Sequence, residues 1–356
     1  MYFTDFLFRE IKDILVGNNL NPNRAYQIFN WIYRKFVFDF SEMSDISKKE
    51  RELLADNFNI ISLELIEYVN GDDTIKFLFK TKDENFIETV LIIAPKDNDT
   101  ERLTLCVSSQ AGCPLGCKFC ATGKIGFKKN LSVSEIISQI LLVEKFIKEN
   151  LKEFKPLGES LRHIGNIVFM GMGEPLLNTE NTLKAIDILN FSGGYNIGER
   201  HITISTAGII PEIEKLLNSQ LRLAISLHTP FQEIREDIMP VAKKYKLPDL
   251  IETLKYYQNI TERRITFEYI LISGINDSEK DVIELKKLLS GLKYNLNLIN
   301  YNPVPDVEFK SLTEERIKYF TNLLDKHGIP YVLRKSKGSK LYAGCGQLGL
   351  IKLTND

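Results

Sequence analysis

Three cysteines stand four and three residues apart in the run Cys113-Pro114-Leu115-Gly116-Cys117-Lys118-Phe119-Cys120. Thiolates at that spacing can bind three irons of a cubane and leave the fourth without a protein ligand, open to a small molecule. A structural zinc ion is the alternative, but zinc takes a fourth close ligand. No histidine follows within the usual distance, and Cys106, upstream on an expected strand, is awkwardly placed to close the set. The cubane is the preferred reading. Cys106 and Cys345 remain as a separated pair, and a chain of 356 residues has core enough to need no disulfide framework.

A second group able to do chemistry is Gly171-Met172-Gly173-Glu174-Pro175, at the end of an expected strand. Glycines let backbone carbonyls approach a ligand closely, and a glutamate accepts hydrogen bonds from amines or hydroxyls. Phe119, inside the cysteine loop, is suited to pack on an aromatic ring or on the loop itself. Basic residues gather in Arg334-Lys335-Ser336-Lys337-Gly338-Ser339-Lys340 and, after the cysteine loop, at Lys124, Lys128 and Lys129. Such runs read first as solvated faces, with nucleic-acid contact as the sharper alternative. Lys plus Arg (46) nearly balances Asp plus Glu (47). No strongly basic domain is present, so any RNA contact must come from local patches.

The elements that must position these groups fall into three stretches. Residues 1 to about 55 read as short helices, with Phe6, Ile11, Ile14 and Leu15, then Ala25, Ile28, Phe29, Ile32 and Tyr33 at helical spacing. The second of these helices mixes aromatic with basic residues, as a packed helix with a polar back or an RNA-contacting helix would. From 58 to 94 the pattern turns β-rich, and the runs at 63–69 and 74–80, joined through Asn70-Gly71-Asp72-Asp73, read as a hairpin. From about 102 onward, β-branched runs alternate with helical stretches in the manner of successive βαβ units around a parallel sheet. Strands are expected at 103–108, 164–170, 201–206, 221–227, 264–272 and 296–301, with a short run at 331–334. Helices are expected at 132–149, 179–190, 211–219, 248–259, 279–290 and 313–327. Six strand-helix repeats fall short of a complete eight-fold barrel, and a partial barrel, open on one side to a large substrate, fits the count. The first residues form no basic leader with an apolar stretch, and no apolar run reaches the roughly 18 residues of a membrane span. A cytoplasmic protein with no membrane partner is expected.

At this point the motifs acquire a common likeness. Leu105-Cys106-Val107-Ser108-Ser109-Gln110-Ala111-Gly112-Cys113, the cysteine loop, and Ala121-Thr122-Gly123 leading into Lys129-Asn130-Leu131 resemble the RlmN family of dual-specificity rRNA and tRNA adenine-C2 methyltransferases. So do Arg24-Ala25-Tyr26-Gln27-Ile28-Phe29, Gly171-Met172-Gly173-Glu174-Pro175 and Ala343-Gly344-Cys345-Gly346-Gln347-Leu348, and the likeness spans nearly the whole chain. The resemblance implies an α/β fold built on a partial (βα)6 radical-SAM barrel at 101–336. It implies a helical accessory, RNA-binding domain at 1–55, a β-hairpin extension at 56–100 and a C-terminal catalytic cysteine loop at 337–356. It also implies a 4Fe-4S cluster on Cys113, Cys117 and Cys120, and S-adenosylmethionine, two molecules per turnover, held by Gly173, Glu174, Ser205, Ser226, Leu227, His228 and Asn302. The implied partners are 23S rRNA and tRNA and an electron donor such as flavodoxin or ferredoxin, with the protein acting as a monomer.

Carbon C2 of adenine is electron-poor and bears no acidic proton, so simple nucleophilic transfer of a methyl group to it is implausible and radical chemistry removes the obstacle. The family's route implies that the thiolate of Cys345 first takes a methyl group from one S-adenosylmethionine. A deoxyadenosyl radical from a second molecule then takes hydrogen from that methyl, and the carbon radical joins protein to RNA. Cys106 is implied to help release the product by removing a proton and forming a transient disulfide with Cys345. Glu88 matches the family's proton acceptor, and the division of proton transfer between the two stays open. The chain departs from the family before Cys345, where Gly338-Ser339-Lys340-Leu341-Tyr342 replaces the usual segment with its Asp-Ile pair. Two other functions stay in view: C8 methylation as in the paralogue Cfr, against which Glu174-Pro175 speaks, and a zinc protein that binds RNA without catalysis.

Overall fold

The computed structural model describes residues 1–94, 102–150, 163–334, 338 and 341–349. Helices α1 (Phe8–Gly17), α2 (Arg24–Tyr33) and α3 (Lys48–Asn57) precede strands β1 (Leu63–Asn70), β2 (Thr74–Thr81), β3 (Phe86–Ala94) and β4 (Arg102–Cys106). After the two-residue β5 (Gln110–Ala111) come α4 (Ala121–Ile125), β6 (Lys129–Asn130), α5 (Val133–Asn150), β7 (Asn166–Phe169) and α6 (Thr179–Asn190). The alternation continues through β8 (Ile202–Thr206), α7 (Ile210–Ile213), β9 (Arg222–Ser226), α8 (Gln232–Ile238), α9 (Leu247–Thr261) and β10 (Ile265–Leu271). It closes with α10 (Glu279–Leu288), β11 (Tyr294–Asn300), α11 (Glu314–Lys326) and β12 (Tyr331–Arg334). Two compact units share these elements. One is Met1–Ala111 with Asn130–Val168 and Asn178–Ile202, and the other is Gly112–Lys129 with Phe169–Leu177 and the chain from Thr203 onward.

In the first unit, α2 buries Ala25, Ile28, Phe29, Ile32 and Tyr33, the apolar stripe its spacing predicts. Its polar residues are engaged locally. Arg24 pairs with Glu50 at 3.0 Å, Trp31 Nε1 donates to Asp45 at 2.6 Å, and Arg34 donates to the carbonyls of Ser192 and Gly194. Helix α3 starts on a capping box between Ser47 and Glu50. The hairpin forms with Asn70 opposite Ile75, and β3 adds a third antiparallel strand that in turn pairs with β4. Strand β4 then runs parallel to β7, with Cys106 opposite Val168.

In the second unit, β8, β9, β10, β11 and β12 pair in that order, all parallel. Parallel neighbours need crossovers, and the helices supply them. Helix α9 shows how the sequence builds one: Pro248 stands in its first turn, Leu247, Leu250, Ile251, Leu254 and Tyr257 are buried, and Glu262 ends it in the left-handed region at φ 55°. The helix expected at 211–219 is one α turn, Ile210–Ile213, continued as a 3-10 turn over Glu214–Leu216. Among the described residues no helix is long and apolar enough to cross a membrane.

Candidate active site

The second unit contains a cavity of about 150 Å³ lined by residues from the ends of its strands and from the cysteine loop. Cys113, Cys117 and Cys120 all face it and all are free thiols. Their loop is held by its own backbone: Cys120 N donates to Cys117 O at 3.1 Å, Cys113 N to Gly126 O at 3.2 Å, and Lys118 N to Ile238 O at 2.9 Å. Gly112 makes the approach to Gly126 possible. It sits at φ +70°, and a Cβ there would meet Gly126 O at 1.8 Å. Gly112→Ala is therefore expected to cost more than about 2 kcal/mol and to lower iron uptake sharply, as read by thermal unfolding and by iron content after reconstitution.

Glu174 lines the same cavity and is 3% exposed. Its Oε1 accepts from Leu176 N at 3.1 Å and its Oε2 from Ala207 N at 2.8 Å, so the carboxylate cannot swing away. Burial nevertheless lifts its pKa to about 7. Gly173, Ser205, Ser226 and His228 join the lining. His228 adopts φ +61°, and its Nδ1 accepts from Ile270 N at 3.1 Å, which leaves Nε2 as the protonated nitrogen of a neutral ring. Burial, assisted by the charge of Arg235, holds the His228 pKa down to about 3. Phe119 meets this ring edge-on at 5.0 Å and belongs to the apolar cluster with Met239, Ile270 and Tyr301. Asn276 pins the corner, donating to His228 O and Ile270 O at 2.6 Å each and accepting from Ile272 N.

Cys345 lines the cavity from the C-terminal loop and is exposed. Asn302 Nδ2 donates to Cys345 O at 3.1 Å, Ala121 N to Gly346 O at 2.8 Å, Gln347 Nε2 to Pro303 O at 2.9 Å, and Thr122 Oγ1 to Leu348 O at 2.6 Å. Crowding by protein raises the Cys345 thiol pKa, and Glu268 raises it further.

Not every residue singled out by sequence faces the cavity. Leu227 is fully buried and Asn302 lies beneath the Cys345 loop; neither side chain lines it. Cys106 and Glu88 belong to the first unit. Cys106 ends β4 opposite Val90, and Glu88, on β3, pairs with Lys76 at 3.1 Å in near-complete burial. Of the basic residues, Lys124 donates to the carbonyls of Pro305 and Asp306, Lys128 and Arg334 are exposed, and Lys335, Lys337 and Lys340 lie outside the described residues. Sequence reasoning missed Glu268, which lines the cavity with its Oε1 bonded to Asn297 and its Oε2 buried without a partner. A carboxylate in the apolar strand Ile265–Leu271 was the available signal.

The donor set fits an iron-sulfur cluster. Among the described residues no three His, Cys, Asp or Glu side chains converge as a single metal ion requires. A cubane asks for something else, one thiolate per iron around a shared volume, which three cysteines on one cavity provide. Burial pushes the Cys113 thiol up to about 12 and Cys117 well above its usual value, so metal must displace protons to bind.

Residues 3–60 match the ribosomal RNA large subunit methyltransferase N-terminal domain, and residues 107–285 match the radical SAM superfamily. The probable dual-specificity RNA methyltransferase RlmN of Aquifex aeolicus is 42% identical over 98% of this chain and 97% of its own length. Its counterpart in Dictyoglomus turgidum is 43% identical, again over 98% and 97%. The crystal structure of a radical SAM methyltransferase from Sphaerobacter thermophilus superposes with a TM-score of 0.91 at 39% identity, covering 98% of this chain and 99% of that one.

Proposed function

Because the chain belongs to the RlmN family of radical SAM dual-specificity RNA methyltransferases, we propose that its cysteine-lined cavity methylates C2 of an adenosine in 23S rRNA and in tRNA. The observation that carries this reading is the presence of a fourth free cysteine, Cys345, on the same cavity as Cys113, Cys117 and Cys120. A radical SAM site that only cleaves its cofactor has no use for that sulfur; a methyl carrier does.

Cys113, Cys117 and Cys120 hold a 4Fe-4S cluster, and Gly173, Glu174, Ser205, Ser226 and His228 hold S-adenosylmethionine beside it. Together the two groups supply, when bound, a transferable methyl group and the radical needed at an electron-poor ring carbon. Cys345 acts as the thiolate that accepts the methyl and carries it to the base, and Asn302 positions it through its carbonyl. Leu227 fixes the turn between Ser226 and His228, its amide bonded to Glu268 O. Cys106 and Glu88 supply the deprotonation that frees the product, and Cys106 closes a transient disulfide with Cys345. The helices of residues 1–55 and the basic residues at 124–129 and 334–340 contact RNA. The protein works as a cytoplasmic monomer and draws electrons from a flavodoxin or ferredoxin.

Anaerobic reconstitution followed by reaction with rRNA and tRNA fragments, nuclease digestion and mass spectrometry tests the reading. A brown protein that yields 2-methyladenosine in both RNAs is the expected result. 8-Methyladenosine would move the enzyme to Cfr-type chemistry, and a colourless, zinc-loaded protein without product would overturn the assignment.

A further inference from the structure

Arg235, on α8, is 0% exposed, a bulky charged side chain fully enclosed by protein. Its guanidinium donates to three backbone carbonyls: Nη2 to Ala207 O at 2.7 Å and Ser226 O at 3.0 Å, and Nε to Leu227 O at 3.3 Å. Nη1 is buried with no partner, and no carboxylate among the described residues pairs with the cation. Three neutral carbonyls do not neutralise a buried charge, and leaving such a charge without an anion is among the more costly arrangements a protein can hold. Arginine stays protonated even so, since burial lowers its pKa only to about 10.

Among the described residues no carboxylate supplies the anion, and the carbonyls that Arg235 holds lead to the candidate site. Ala207 and Ser226, whose carbonyls Arg235 grips, both line the cavity that Cys113, Cys117 and Cys120 face, so the guanidinium lies directly behind that wall. Helix α8 is also tied to the cysteine loop itself, through Lys118 N to Ile238 O, and Met239 N donates back to Arg235 O at 2.7 Å. The charges of Arg235 and of a Cys117 thiolate favour each other. Three thiolates on a cubane core leave net negative charge, and reduction adds one more electron to it.

We propose that Arg235 is the built-in counter-cation of the three-cysteine site, neutralising the anionic cluster from behind the cavity wall and favouring its reduced state. The inference rests on the reading that the triad binds an iron-sulfur cluster. Arg235 does not line the cavity, so it acts by its field and is a positioning residue rather than one that touches substrate or cofactor.

Redox titration of the full-length holoprotein, followed by the electron paramagnetic resonance of the reduced cluster, tests this with Arg235→Gln and Arg235→Lys. Arg235→Gln should keep its iron yet show a reduced-to-oxidised ratio about tenfold lower at a fixed potential, a shift of about 59 mV for one electron. Arg235→Lys keeps the charge with fewer donors and should restore most of that ratio. Equal losses in both variants, or failure of both to fold, would make Arg235 a strut for the three carbonyls and overturn the proposal. So would an unchanged potential with weakened S-adenosylmethionine binding, which would assign the cation to the cofactor carboxylate. If Arg235→Gln alone fails to fold, a potential in Arg235→Lys close to that of the parent protein supports the counter-cation and a tenfold loss overturns it. A parent protein that takes up no iron defeats the cluster reading first, and the inference with it.

Discussion

Alanine in place of Cys113, Cys117 or Cys120 is expected to abolish RNA methylation and cofactor cleavage together, leaving both at background. Each thiol faces one shared cavity, and the four-and-three spacing gives one thiolate to each of three irons. Two thiolates cannot hold a cubane with one iron left selectively open. The loss should be chemical and not a collapse of the fold. All three cysteines are only partly buried, and the loop is organised by backbone bonds such as Cys120 N to Cys117 O, so the metal-free variants should unfold within about 1 kcal/mol of the parent protein. Iron analysis, the visible absorption of the reconstituted protein and cleavage of S-adenosylmethionine measure this directly. Full activity in any one of the three variants would sink the cluster assignment.

Cys345→Ala and Cys106→Ala should fail at different stages. With Cys345 gone the cluster persists, because that sulfur is outside the triad, but neither a methylated cysteine nor any product forms. With Cys106 gone the earlier steps survive, and the protein should accumulate RNA attached through Cys345. Cys106 is a small, nearly buried residue at the end of β4, so its replacement costs the fold about 1 kcal/mol and cannot itself create an adduct. Nuclease treatment of Cys106→Ala purified from cells, followed by mass analysis of the Cys345 peptide, separates the alternatives. A folded, cluster-loaded variant without a nucleotide mass on that peptide would show that Cys106 only packs the strand.

Much of this architecture was legible because it depends on short-range rules. The four-and-three spacing of the cysteines, the alternation of β-branched runs with helical stripes, and the Asn70-Gly71-Asp72-Asp73 turn are all local signals. What escaped depends on burial that the sequence does not display. Strand β3 (Phe86–Ala94) lacks a clean apolar-polar alternation because it buries consecutive residues, 87–91, on both faces. Helix α8 escaped because its buried residues are Arg235 and Ile238, and a charged side chain does not register as an inward-facing position. Glu268 escaped for the same reason. The two compact units rest on contacts between separated stretches, which short-range patterns do not display. Among the residues implied by family likeness, Glu174, Ser205, Ser226 and His228 line one cavity, whereas Leu227 and Asn302 stand off it and reach the site through the Leu227 amide and the Asn302 side chain.

The fastening of the C-terminal loop has a practical side. The amide of Ala121, the residue after the last cysteine of the triad, donates to the carbonyl of Gly346, the residue after Cys345. One main-chain hydrogen bond thus joins the two sulfur-bearing segments while involving neither sulfur. Deuterium exchange at that amide gauges how often the clasp opens in the native protein, and it can be read in the absence of RNA.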